Sequence, residues 1–197
     1  PEDSDDFDGE TLGLQWQWNA NYQDFWYQTN PKESCLLLYA QMVEADTQLC
    51  DVSNLLLQKW PAPEFRITTK LDVSGLVDGD YAGMISLGGV YTGLALRVKD
   101  GRRNLVQRTG EWLEANEVET VFGQISEEIL YMQMTVKKEK EVSFAYSIDG
   151  ENYQDIGEVV EATPGRWVGV KAGLFAINTM GRTQGVLRVD YFFFEKL

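Results

Sequence analysis

The chain has 197 residues, of which 44% are apolar and 24% charged, the size and balance of a single folded domain able to bury roughly 70% of its unfolded surface. Its formal net charge of −14 repels nucleic acid and anionic membranes but not an uncharged polysaccharide. With no histidine, Ser-His-Asp and Cys-His catalysis and His-liganded zinc are excluded, and no apolar run approaches the roughly 18 residues of a membrane span.

In chain order, an acidic opening, Asp3 to Glu10, precedes Trp16 and Trp18, which are two apart and share one face of a strand. A polar stretch over 20–30 carries Trp26 and Tyr27. Short apolar runs follow at 36–42, 54–59, 65–73, 81–88, 92–98, 103–108 and 118–123, with turn signals at Asp78-Gly79, Gly88-Gly89 and Asp100-Gly101. Residues 41–49 and 111–118 are each expected to hold a turn or two of helix. Leu130 to Val136 and Val142 to Ile148 alternate with period 2, across a charged turn at Lys137 to Lys140. Asp149-Gly150 then predicts a hairpin into a return strand carrying Tyr153 and Ile156. Runs at 167–175, with Trp167 as a core residue, and at 186–194 complete the series. In the last run Val186, Arg188, Asp190, Phe192 and Phe194 are expected on one face. Leu187, Val189, Tyr191 and Phe193 are expected on the other, with burial on both sides at its end. More than ten short strands and no long amphipathic helix predict an all-β, two-sheet antiparallel sandwich forming one domain over 1–197.

Six Trp, nine Tyr and nine Phe exceed what punctuation of a sandwich requires. Most are expected to pack in the core, but an aromatic face can also stack on the C–H face of a sugar. By context, Trp26 in the polar stretch, Trp60 before Pro61 and Trp112 among charged residues are the platform candidates, with Tyr27 and Tyr91 completing the set. Edge or core packing is the competing reading of each. The acidic opening is not an EF-hand, because Ser4 and Gln15 stand where acids are needed. A calcium site of Asp6, Asp8 and Asp190 is expected if the sandwich brings its first residues beside its last strand; a solvated acidic tail is the alternative. No closely spaced set of acids alternates along one strand, so glycoside hydrolysis by this chain alone is not expected. Cys35 and Cys50 match no zinc spacing and are read as buried thiols in preference to a disulfide. The opening Pro1-Glu2-Asp3 lacks a methionine, as expected of a processed product or fragment. An extracellular or periplasmic home is favoured over a cytoplasmic one.

Several blocks resemble the C-terminal module of family 43 β-xylosidases. They are Asp6-Phe7 through Leu12-Gly13-Leu14-Gln15-Trp16-Gln17-Trp18-Asn19, Asn54 to Lys59, and Ala82-Gly83-Met84. Phe144 to Tyr153, Trp167 to Ala176 and the closing Val189 to Glu195 continue them in the same order. The resemblance implies a concanavalin-A-like jelly roll that follows a catalytic propeller, packs against it and is not itself an enzyme. It implies xylan or xylo-oligosaccharide as ligand, with that propeller in the parent chain as partner. It also implies an aromatic near the penultimate strand that shapes the catalytic pocket, a position matched here by Phe175 and by the loop from Ile177 to Gly185 with Asn178. Two readings follow: a xylan-binding module of hemicellulose degradation, or a structural domain that completes the pocket without binding sugar independently. The chain departs from the pattern in lacking the propeller.

Overall fold

A computed structural model describes residues 3–165, 168–181 and 185–197. Fifteen strands, in chain order, are β1 (Gln17–Trp18), β2 (Tyr27–Asn30), β3 (Cys35–Tyr39), β4 (Gln41–Met42), β5 (Leu56–Lys59), β6 (Phe65–Asp72), β7 (Asp80–Leu87) and β8 (Val90–Lys99). They continue with β9 (Arg102–Glu111), β10 (Val118–Ile125), β11 (Ile129–Lys137), β12 (Glu141–Ser147), β13 (Gln154–Glu161), β14 (Lys171–Asn178) and β15 (Val186–Lys196). They form two sheets, in the orders β13-β12-β11-β6-β15-β3-β2 and β1-β5-β14-β7-β8-β9-β10. Pairing is antiparallel except for β4, which joins the end of β14 in parallel. Among the described residues the only helical elements are three-residue 3-10 turns at 24–26, 49–51 and 138–140. The helical turns expected over 41–49 and 111–118 are thus not α-helical.

The alternating residues build the space between the sheets. Phe65, Ile67, Thr69 and Leu71 of β6 and Leu130, Met132, Met134 and Val136 of β11 point inward. They meet Met84, Leu94, Leu96, Ala172, Leu174 and Ala176 from the other sheet. Each large apolar side chain removed from water contributes about 1.5–3 kcal/mol. The second sheet is also covered on its outer face. The segment 43–55 folds across it, and Leu49, Cys50, Val52 and Leu55 pack on Leu57, Ile85, Ala95, Val106 and Phe175. Burial on both faces explains why Leu55-Leu56-Leu57 and Gly173 to Ile177 are apolar without alternation.

Three expectations are corrected. The penultimate strand begins at Lys171, which leaves Val168 outside it and 52% exposed; the core assignment of Trp167 lies outside the described residues. In β15 the pairing with β6 slips between Val189 and Tyr191, so that Asp190 is an extra, bulged residue. The bulge moves the inward face from Leu187 and Val189 to Phe192, and the simple two-face division of 186–194 fails because an unpaired residue shifts the pleat by one. Phe193 is 55% exposed, so the strand end is not buried on both sides. The Asp149-Gly150 hairpin forms as expected, with Gly150 at φ 79°. The Asp149 carboxylate accepts the backbone N–H groups of Glu151 and Asn152 and the Asn152 amide, which hold its pKa well below the usual range.

Candidate functional site

A hollow of about 320 Å³ opens at the end of the second sheet where β5 and β7 end and β14 begins. Its walls include Asn19, Asp51, Leu87, Trp112, Val168 and Lys171. The floor is the β7–β8 turn. A Cβ on Gly88 would lie 2.2 Å from the Thr163 carbonyl, so only glycine permits the two segments to approach. Gly89 N–H donates to the Thr163 carbonyl at 2.7 Å, and Trp112 N–H donates to the Gly89 carbonyl at 2.7 Å. Trp112 is thereby fixed at its backbone while its ring remains 38% exposed. Asn19 donates its amide to the carbonyls of Val52 (2.9 Å) and Cys50 (3.3 Å).

A buried ion pair holds both long walls. Arg108 of β9 binds Glu117, which precedes β10, with Nε to Oε1 at 2.6 Å. These two residues flank the loop that carries Trp112. The Arg108 guanidinium also donates to the Thr47 carbonyl at 2.8 Å, and the second Glu117 oxygen accepts the Leu49 N–H at 2.7 Å. The 47–51 segment, which brings Asp51 to the cleft, is thus tied to the same pair. Both side chains are under 10% exposed, so each charge depends on the other in a low-dielectric setting. Neither residue was singled out from sequence, where each reads as an ordinary surface charge; only the register of β9 with β10 shows the pairing.

The expected platforms separate into three groups. Trp112 lines the first hollow and is partly exposed. Trp60 is half-buried and edge-on to Phe65 at 5.5 Å. It borders a second hollow of about 520 Å³ with Gln15, Gln17, Gln58 and Lys59, and its buried indole Nε1–H has no hydrogen-bond partner among the described residues. Tyr27 is half-buried against Trp18 and Tyr22 and lines an open hollow beside Phe25, Gln28 and Tyr39. Trp26 and Tyr91 are corrected. Trp26 is 7% exposed, edge-on to Trp18 at 5.3 Å and to Tyr22 at 6.3 Å. Tyr91 is fully buried, with its hydroxyl donating to Gln48; it fits because Gly110 lies opposite, where a Cβ would be 2.4 Å from the hydroxyl.

The two pocket-shaping candidates are also corrected. Phe175 is fully buried beneath the 43–55 segment. Asn178 is fully buried and donates its amide to the Asp80 carboxylate at 2.7 Å and the Asp78 carbonyl at 3.1 Å. Burial raises the Asp80 pKa despite these donors. Both residues are buried within the end of the sandwich.

The calcium expectation has a correct premise and an ill-fitting outcome. The N-terminal segment does pair with the last strand, through Asp5 N–H to the Phe192 carbonyl at 2.9 Å. The acid placed there is Asp5, whose carboxylate accepts Phe7 N–H and Trp16 Nε1–H, both at 2.8 Å. Asp6 and Asp8 are exposed, and Asp190 on the bulge is bound by Lys70 at 2.7 Å and Arg188 at 3.2 Å. Among the described residues no three acids or thiols gather into a metal site, so Asp6, Asp8 and Asp190 do not fit the seven or so oxygen ligands that calcium takes. Cys35 and Cys50 are separate buried thiols; burial raises both pKa values and makes them poor nucleophiles.

The architecture is that of a two-sheet, concanavalin-A-like sandwich with an aromatic cleft at one end, in which Asp51 is the single acid among the described lining residues. Residues 4–195 match the family described as the β-xylosidase C-terminal concanavalin A-like domain, and the chain belongs to that family. It is 27% identical to a β-xylosidase of Formosa agariphila, across 99% of this chain and 35% of that protein. It is 30% identical to a putative β-xylosidase of Xylanibacter ruminicola, across 94% of this chain and 33% of that protein. Among solved structures it resembles a bifunctional GH43-CE protein of Bacteroides eggerthii, with TM-score 0.86 and 28% identity over 98% of this chain and 26% of that one. An engineered GH43 glycoside hydrolase with endo-xylanase and exo-arabinofuranosidase activity shares the fold at TM-score 0.88 and 21% identity, over 99% of this chain and 41% of that one. The chain spans about a third of the length of the curated relatives it matches and corresponds to the C-terminal accessory part of such hydrolases.

Proposed function

We propose that this domain is a non-catalytic module that binds xylan or xylo-oligosaccharide in the Trp112 cleft, within a parent chain that carries the family 43 catalytic propeller. The observation that carries the reading is the partly exposed Trp112 ring on a cleft whose other walls supply Asn19 and Asp51. The indole offers its face to the C–H side of a pyranose, and the amide and carboxylate accept its hydroxyls. The cleft volume falls within the roughly 300–1,000 Å³ of small-molecule sites. Affinity electrophoresis in gels containing soluble xylan tests this: the protein is expected to be retarded and the Trp112→Ala protein to run freely. Unretarded migration of the unaltered protein refutes it.

A second reading, completion of the propeller's active-site pocket, is favoured by the apolar rim. Leu113 and Val168 are 76% and 52% exposed beside Trp112, and such rims belong to covered surfaces. Adding the module in trans to the parent enzyme truncated before it then restores xylosidase activity, and Leu113→Ser or Val168→Ser weakens the restoration.

A further inference from the structure

Lys171 of β14 and Lys59 of β5 are direct register partners across an antiparallel pair. Like charges opposite one another destabilise a sheet, and this chain has 31 acids against 17 basic residues from which to supply a counter-charge. It supplies none here. Among the described residues no carboxylate lies within ion-pair distance of either lysine. Lys171 is half-buried, and its pKa is lowered by desolvation and by Lys59, the one charged group acting on it. Asp51, on the same cleft, does not compensate it.

The position of the pair gives it meaning. Lys171 is a wall of the Trp112 cleft, and Lys59 is a wall of the hollow containing Trp60, Gln15, Gln17 and Gln58. The two lysines are thus cross-strand neighbours, each lining a different hollow, and each hollow pairs an indole with amide or carboxylate side chains. We propose that Lys59 and Lys171 form a carboxylate-binding subsite for a uronic-acid substituent on the xylan backbone, the neutral rings lying in the Trp112 cleft. The inference rests on the glycan-binding reading above and narrows it to acidic xylan. A sugar carboxylate between the lysines supplies the missing counter-charge, and charge-assisted hydrogen bonds to it are stronger than those to a hydroxyl.

The test compares a xylotriose bearing one glucuronic acid with unsubstituted xylotriose, by titration calorimetry on the 197-residue chain at low and high sodium chloride. Binding of the acidic ligand is expected to be about tenfold tighter at low salt, with the advantage shrinking as salt screens it. Lys59→Gln, which lies outside the Trp112 cleft, is expected to retain affinity for xylotriose and lose most of the preference. The Lys59→Gln/Lys171→Gln protein is expected to show no preference, with a melting temperature no lower than that of the unaltered protein confirming that it folds. The Lys171 side-chain resonances are expected to move with the acidic ligand only. Equal affinity for the two ligands, or a preference that survives in the double variant, overturns the subsite while leaving the Trp112 cleft standing. Failure of both ligands to bind overturns both. Acidic and neutral sugars binding alike, with Lys59→Gln impairing only restoration of the parent enzyme in trans, assigns the pair to a carboxylate of the propeller surface and overturns the uronyl site.

Discussion

Two aromatic regions of this molecule have similar composition and opposite states. In the first, Trp18, Tyr22, Trp26 and Tyr27 stack on one another, with centroids 5.3–6.3 Å apart. In the second, Trp112 has no ring neighbour among the described residues and is held by its backbone beside glycines. The polar surroundings of Trp26 in sequence resemble those of Trp112, yet Trp26 is already packed edge-to-face among other rings and buried. An indole becomes a platform when nothing in the protein satisfies its face, and that is a property of the fold rather than of the local sequence.

Four experiments would break or sharpen that contrast. The largest effect is expected from Glu117→Ala, which strands the Arg108 charge in the interior and frees both walls of the open site. A loss of about 3–5 kcal/mol in urea unfolding is expected, against which a change below about 1 kcal/mol would show that the pair is not what closes the 43–55 segment over the sheet. Next is Trp26→Ala, which removes a ring from the closed cluster. It is expected to cost about 3 kcal/mol of stability while the folded fraction retains its affinity for xylan; lost affinity at full folding would return Trp26 to the binding surface. Trp112→Ala is expected to do the reverse, with stability changing by less than about 1 kcal/mol and xylo-oligosaccharide affinity falling about tenfold, the scale of one aromatic contact. The smallest effect is expected from a chelator. Because Asp190 is engaged by Lys70 and Arg188, EDTA is expected to leave the melting temperature unchanged, whereas a fall on chelation restored by calcium would place a metal at the N-terminal turn.

Much of the framework was legible along the chain. The period-2 runs at Leu130 to Val136 and Val142 to Ser147 became β11 and β12 because alternation is the direct consequence of one wet and one dry face. Asp149-Gly150 became a hairpin because the left-handed backbone there favours glycine. The blocks that resemble family 43 modules fell in a chain that belongs to that family. The bulge at Asp190 was not legible, since a register slip is visible only against the partner strand. Nor was the burial of Tyr91 and Phe175, which follows from the 43–55 segment crossing a sheet face that alternation alone would leave open.

The sequence by itself thus determined the class of fold, most strand positions and the lack of any histidine in this chain for catalysis or metal binding, because these depend on local periodicity and on which side chains exist. Only the tertiary structure decided which aromatic rings are buried, that Arg108 meets Glu117, and that Lys59 faces Lys171 with no counter-ion among the described residues. Those outcomes depend on residues brought together from distant strands, and solvent exposure and electrostatic pairing are fixed by neighbours in space rather than along the chain.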